Sequence, residues 1–213
     1  MSVVRFMVTV SIDGYMAGPD QSLEEPLGVG GEDLHRWLTE LEVWRRAAGL
    51  GGGITNASSR VVEEAQADVG AYVMGRNMFG GGRGPWGDDP PWRGWWGDDP
   101  PYRVPVFVLT HHPRESLPME GGTTFHFVTA GVDRAIDQAR EVARDRDVVI
   151  AGGADVIRQC LRAGHVDRFE LNLAPVILGA GERPLADVGD LRLEQIRAIE
   201  APRVTHVSYR VLR

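Results

Sequence analysis

The segment Asp147-Val148-Val149-Ile150-Ala151-Gly152-Gly153-Ala154-Asp155-Val156 constrains this chain more than any other. An unbroken apolar, β-branched run is what a strand covered on both faces requires, and two glycines leading into a helix-forming stretch turn it sharply. A sheet covered on both faces calls for helices on each side, and the rest of the chain alternates accordingly. Residues 3–10 read as a buried strand that ends in an Asp13-Gly14 turn. Leu34, Trp37, Leu38, Leu41 and Trp44 recur at helical spacing and predict one amphipathic helix from about residue 32 to 48. Asn56 or Ser58 caps a second helix to about residue 67, followed by a strand at 71–74 and a short helix after Gly75. Strands follow at 104–110 and 124–128, then a helix at 132–144, the 147–151 strand and the helix after Gly153. Residues 169–173 and 176–178 read as apolar strands, and the stretch 191–213 as a closing hairpin. The fold class is therefore α/β, with a mostly parallel mixed sheet flanked by helices and a C-terminal antiparallel hairpin. A single domain over residues 1–213 is expected, with an irregular insertion at about 80–103.

Composition narrows the partners. With 213 residues, 43% of them hydrophobic, the chain can bury a core, and its net charge of −7 disfavours nonspecific binding to nucleic acid or anionic membrane. Small molecules are the expected partners. All 23 basic residues are arginine, which removes Schiff-base chemistry and the lysine of a Walker A loop. The lone cysteine, Cys160, has no disulfide partner, and no apolar run reaches membrane-spanning length. A cytoplasmic protein is expected.

Three strand exits carry groups suited to phosphate. At Gly152-Gly153 the start of the helix exposes unpaired backbone N–H groups, and the missing side chains let a diphosphate approach; an ordinary tight turn is the alternative. At Met74-Gly75-Arg76-Asn77 a guanidinium fork can grip phosphate, or be a plain surface arginine. At Leu109-Thr110-His111-His112-Pro113-Arg114, hydroxyl, imidazole and guanidinium groups can surround a second phosphate. Adjacent histidines on extended chain point to opposite faces, so no metal is expected there.

In their order these stretches resemble the dihydrofolate reductase superfamily, and within it the reductase domain of bifunctional riboflavin-biosynthesis deaminase-reductases. The resemblance rests on Val10-Ser11-Ile12-Asp13-Gly14-Tyr15-Met16-Ala17, Val73-Met74-Gly75-Arg76, Val108-Leu109-Thr110, Val149-Ile150-Ala151-Gly152-Gly153-Ala154 and Ala174-Pro175-Val176-Ile177-Leu178-Gly179-Ala180-Gly181. It implies a three-layer, dihydrofolate-reductase-like fold and an NADPH-dependent oxidoreductase that transfers a hydride to a small planar or carbonyl-type substrate. It further implies the diphosphate on Gly152, Gly153, Ala154, Asp155, Val156 and Ile157, with the 2′-phosphate near Arg76, Thr110, His111 and Arg114 and with Gly75 also in the cofactor site. The nicotinamide would lie beside Thr9, Met16 and Ala17. A strained Gly152-Gly153 peptide and a homodimer are also implied. The chain departs from the family pattern at Arg168, where relatives carry an acid.

The substrate side is less marked. Asp33 resembles, by its place on the first helix, the carboxylate that promotes pterin protonation. A partly desolvated acid there would have a raised pKa, whereas the alternative is a carboxylate that only favours the helix N-terminus. Asp13, Asp33 and Trp37 are the substrate-contact candidates, although an Asp-Gly turn also explains Asp13. Residues 11–42 hold Arg36 as their one basic residue, apart from His35, among eight acids, which argues for an unphosphorylated substrate. The loop at 80–103 repeats Trp-Gly-Asp-Asp-Pro-Pro at 86–91 and 96–101. Its aromatic residues suit a lid, a dimer contact, a sugar-stacking surface, or packing onto the body of the protein. A non-catalytic carbohydrate- or small-molecule-binding module, using this loop and the pairs Asp88/Asp89 and Asp98/Asp99, is the rival reading.

Overall fold

A computed structural model describes residues 2–82, 84–87 and 92–213. Among these the elements run β1 (Val4–Val10), α1 (Arg36–Thr39), α2 (Glu42–Ala47), α3 (Ala57–Gln66), β2 (Val69–Gly75), α4 (Arg76–Phe79), β3 (Pro105–Leu109), β4 (Leu117–Pro118), β5 (Thr124–Val128), α5 (Gly131–Ala143), β6 (Asp147–Gly152), α6 (Ala154–Arg162), β7 (Arg168–Leu173), β8 (Arg192–Ala201) and β9 (Val204–Leu212). The nine strands form one sheet in the order β4-β5-β3-β2-β6-β1-β7-β9-β8. The β1/β6, β2/β6, β2/β3 and β3/β5 pairs are parallel, and β4/β5, β7/β9 and β8/β9 are antiparallel. This is the α/β class the sequence implied, including the closing hairpin. The chain divides into two compact units, the first comprising Met1–Phe6, Asp68–Asp167 and Asp187–Gly189, the second Met7–Ala67, Arg168–Ala186 and Asp190–Arg213.

In the first unit the parallel strands are buried nearly throughout, as helix coverage demands. Helix α5 contributes Ala135, Ile136, Ala139 and Ala143, all within 1% of full burial. Burying a side chain the size of Ile136 is worth roughly 2 kcal/mol. Gly70 is required where α5 ends, because a Cβ there would lie 2.6 Å from the Ala143 Cβ. Arg5 enters the apolar β1 run by pairing with Asp147 at 2.6 Å, so that neither charge is buried alone. Cys160 is fully buried on α6, and desolvation, with Asp133 nearby, pushes its thiol up to about 12, which leaves it unreactive.

In the second unit, Asn56 caps α3 with a reciprocal box: its side chain accepts from Ser58 N at 2.8 Å, and Ser59 Oγ accepts from Asn56 N at 3.2 Å. Trp37, Leu41, Val62 and Val204 form a buried cluster. Beside it runs a polar chain in which Ser58 Oγ lies 2.9 Å from His206 Nε2, and His206 Nδ1 lies 2.6 Å from Asn172 Oδ1.

Two expected elements differ. The single helix over 32–48 is instead a 3-10 turn (Gly31–His35), then α1, then α2. Leu41 is extended and bridges to Ile54, with Glu42 N donating to Ile54 O and Ile54 N to Glu40 O, so backbone pairing interrupts the helix. The apolar spacing survives, since Leu34, Trp37 and Leu41 remain buried. Residues 176–178 are not a strand. The Asp13 carboxylate takes the N–H groups of Leu178 and Gly179 that a ladder would have used. The short β4 edge was not expected; two residues carry no periodicity.

Candidate functional site

Within the first unit, the exits of β6, β2 and β3 are adjacent, because Met74 pairs with Gly152 and Gly75 with Leu109. Gly75, Arg76, Thr110, Gly152 and Gly153 thus share one edge. The close fit of β2 to α6 depends on Gly75, where a Cβ would stand 2.9 Å from Val156 Cγ2. Gly152 has φ 128°, a region open mainly to glycine, and the Gly152–Gly153 peptide is cis. Gly153 caps α6 without a side-chain cap, and a Cβ placed on it would meet nothing within 4 Å. Open space therefore borders the α6 N-terminus, where the amides of Ala154, Asp155 and Val156 lie in the first turn.

Arg76 is built into this edge. Its Nε donates to the Gly80 carbonyl and its Nη2 to the Gly81 carbonyl, each at 3.1 Å. Its Nη1 is buried without a hydrogen-bond partner among the described residues. The carbonyls are presented by glycines at φ 88° and 86°. Side chains there would collide with Trp95 and Trp92, at 2.7 and 2.8 Å. The Arg76 guanidinium lies 3.1 Å from the centre of the Trp86 ring, and Arg114 lies 4.9 Å from the same ring. Burial, then the like charge of Arg114, lowers the Arg76 pKa; burial, then Arg93, lowers that of Arg114. Thr110 is buried, and its hydroxyl accepts from His112 N at 3.1 Å, while His111 is exposed. The arrangement is one of partly buried positive charge, an unused donor and helix-start amides at neighbouring strand ends, which is chemistry for a phosphorylated ligand.

The remaining candidates belong to the second unit. Thr9 is buried and accepts from the Trp37 indole at 3.3 Å. Trp37 is only 3% exposed and packs edge-on against His206. Met16 N donates to Glu182 O, and Ala17 bridges to Glu182. Asp13 accepts from Ser11 Oγ and from the N–H groups of Leu178 and Gly179, at 2.6, 3.1 and 2.7 Å. The Ser11 hydroxyl and these amides hold its carboxyl down to about 2, and the same bonds tie its loop to residues 178–179. The Asp33 side chain is 47% exposed and pairs with Arg36 at 2.5 Å.

Trp86, Trp92 and Tyr102 pack against the first unit's core around Phe79, Val108 and Phe125, while Trp95 and Trp96 are 37% and 49% exposed. Packing onto the body therefore accounts for much of the loop; Asp88 and Asp89 lie outside the described residues. Sequence reading missed Trp86 as the partner of Arg76. The Gly80-Gly81-Gly82 run after a strand-exit arginine, with a tryptophan close behind, is the signal that was available.

The family model described as the RibD C-terminal domain matches residues 2–207. Similar solved structures include a protein of Shewanella sp. PV-4 assigned to riboflavin biosynthesis, with TM-score 0.63 and 19% identity, covering 99% of each chain. Acinetobacter baumannii RibD superposes with TM-score 0.58 at 15% identity over 100% of this chain and 59% of its own. Enterococcus faecalis dihydrofolate reductase, solved with NADP(H), gives TM-score 0.53 at 12% identity, covering 99% and 97%. A search of curated proteins returns no match. Among the described residues, no helix is long and apolar enough to cross a membrane.

Proposed function

From a chain that belongs to the RibD C-terminal domain family, a family of reductase domains, we propose an NADPH-dependent reductase acting on a small, unphosphorylated planar or carbonyl substrate. The observation that carries this reading is the buried Nη1 of Arg76, unpartnered among the described residues, beside an α6 start with no side-chain cap, at adjoining strand exits. A buried donor without an acceptor costs about 1–3 kcal/mol, and a phosphate oxygen would recover it. In this reading Arg76 and Arg114 hold the cofactor's 2′-phosphate, with Thr110 and His111 at the rim. The diphosphate lies along Gly152 to Ile157, held by the amides that open α6 ahead of Ile157, and the side-chain-free Gly153 leaves room for it. Thr9, Met16 and Ala17 are proposed to flank the nicotinamide, which supplies the hydride when bound. The protein's part is to bind and orient. The family match over 2–207 supports a single reductase domain. A cytoplasmic homodimer completes the proposal; the exposed Leu193 and Ile196 of the outer strand β8 are consistent with it, and sedimentation velocity tests it.

Calorimetric titration with NADPH and NADH, on the wild type and Arg76→Ala, tests the cofactor assignment. Loss of one charge-assisted hydrogen bond, worth about 1.5–3 kcal/mol, should weaken NADPH roughly tenfold or more. NADH should change by less than about threefold, since it has no 2′-phosphate to lose. Equal losses would reassign Arg76, and no sub-millimolar binding of either cofactor would remove the proposal.

A further inference from the structure

Trp86 stands among groups that the cofactor reading alone does not explain. Its ring centre is 3.1 Å from the Arg76 guanidinium carbon and 4.9 Å from that of Arg114. Its Nε1 donates to the His112 carbonyl at 2.9 Å, which ties the loop to the exit of β3. Phe79 and Phe127 pack edge-on against it, with centroids at 5.7 and 4.9 Å, so the indole is held from several sides. Nearby arginines are paired, Arg93 with Asp98 and Arg103 with Asp99. Arg76 and Arg114 have no carboxylate partner among the described residues.

The difference matters chemically. A carboxylate would fix a guanidinium and cancel its charge, whereas an aromatic face fixes it and leaves the charge available. Two like charges beside one ring repel each other, so the pair is arranged to receive an anion placed between them. We infer that Trp86 is a positioning residue for the cofactor's 2′-phosphate, holding Arg76 and Arg114 as a pair with no carboxylate partner among the described residues and thereby setting the preference for NADPH over NADH. This rests on the NADPH reading. It also gives the tryptophan-rich insertion a defined task, namely to supply the neutral support that this arginine pair needs.

The test titrates wild type, Trp86→Leu and Trp86→Phe with NADPH and with NADH by calorimetry, after circular dichroism has established that each variant is folded. Trp86→Leu should weaken NADPH at least about tenfold while NADH stays within about twofold, because only the 2′-phosphate meets the pair. Trp86→Phe retains a π face and should keep the preference within about threefold of wild type. The salt dependence of NADPH binding should also fall in Trp86→Leu. If Trp86→Leu weakens both cofactors equally, or neither, the positioning role is overturned although the cofactor reading stands. If wild type itself shows no preference for NADPH, the cofactor reading fails, and this inference with it. A Trp86→Leu chain that does not fold hands the decision to Trp86→Phe, whose preference must then be kept, and its loss would refute the inference.

Discussion

Replacing His206 with Phe should cost the second unit a large part of its stability. His206 is fully buried, and its two ring nitrogens serve Ser58 and Asn172, which are each 1% exposed. Phenylalanine keeps the ring and its edge contact with Trp37 but strands the Ser58 hydroxyl and the Asn172 carbonyl oxygen. At about 1–3 kcal/mol for each buried group left unpaired, the loss is about 2–6 kcal/mol. Set against a typical total of about 5–15 kcal/mol, that is easily measured by urea unfolding. Removing the stranded partners as well, in Ser58→Ala/Asn172→Leu/His206→Phe, should recover most of it, because apolar pairs of similar shape carry no desolvation debt. The pH dependence gives an independent check. Burial lowers the His206 pKa, Glu170 raising it and Arg197 lowering it further as lesser influences, from an ordinary value of 6.5. Below that value the unfolded chain takes a proton that the folded chain refuses, so stability falls as pH drops, by at most about 1.4 kcal/mol per pH unit for this site. His35 and His126, whose pKa values burial also lowers, contribute in the same direction. His206→Phe should flatten that slope just below pH 6.5, where the unfolded imidazole begins to take its proton. A loss below about 0.5 kcal/mol, or an unchanged slope, would refute the neutral, doubly bonded imidazole.

Three further outcomes follow from local geometry. Asp33→Asn should change unfolding free energy by less than about 1 kcal/mol, as expected for an exposed pair, and a larger loss by urea titration would count against the surface role. Gly75→Val should cost about 1–3 kcal/mol and weaken NADPH, because the new side chain drives into Val156 at the start of α6; unchanged stability and affinity would mean that the junction is looser than drawn. Trp96→Ala should leave NADPH affinity within about twofold, since this ring is 49% exposed and it is Trp86 that lies against Arg76 and Arg114, and a glycan array that lights up with wild type and not the variant would favour the binding-module reading.

What the sequence disclosed depended on how local the cause was. The β6 to α6 junction was readable because its apolar run, two glycines and helix start are contiguous, and α3 because Asn56 and Ser59 cap it within four residues. The hairpin was readable because no helix-forming stretch separates β8 from β9. The break in the 32–48 helix was not, because its cause is pairing with Ile54, and helical spacing of Leu34, Trp37 and Leu41 survives the break. Asp13 captures amides 165 and 166 residues away, which no local pattern announces. The arginines at strand exits could be named from their positions. That Arg76 would share an indole with Arg114, and that Trp37 would turn inward to Thr9, depends on tertiary contacts.

The most direct test is a crystal structure with NADPH bound. The account requires the 2′-phosphate within hydrogen-bond distance of Arg76 Nη1 and Arg114, beside Trp86, with the diphosphate on the amides that open α6. A 2′-phosphate seated elsewhere, with Arg76 Nη1 still lacking an acceptor, would contradict it.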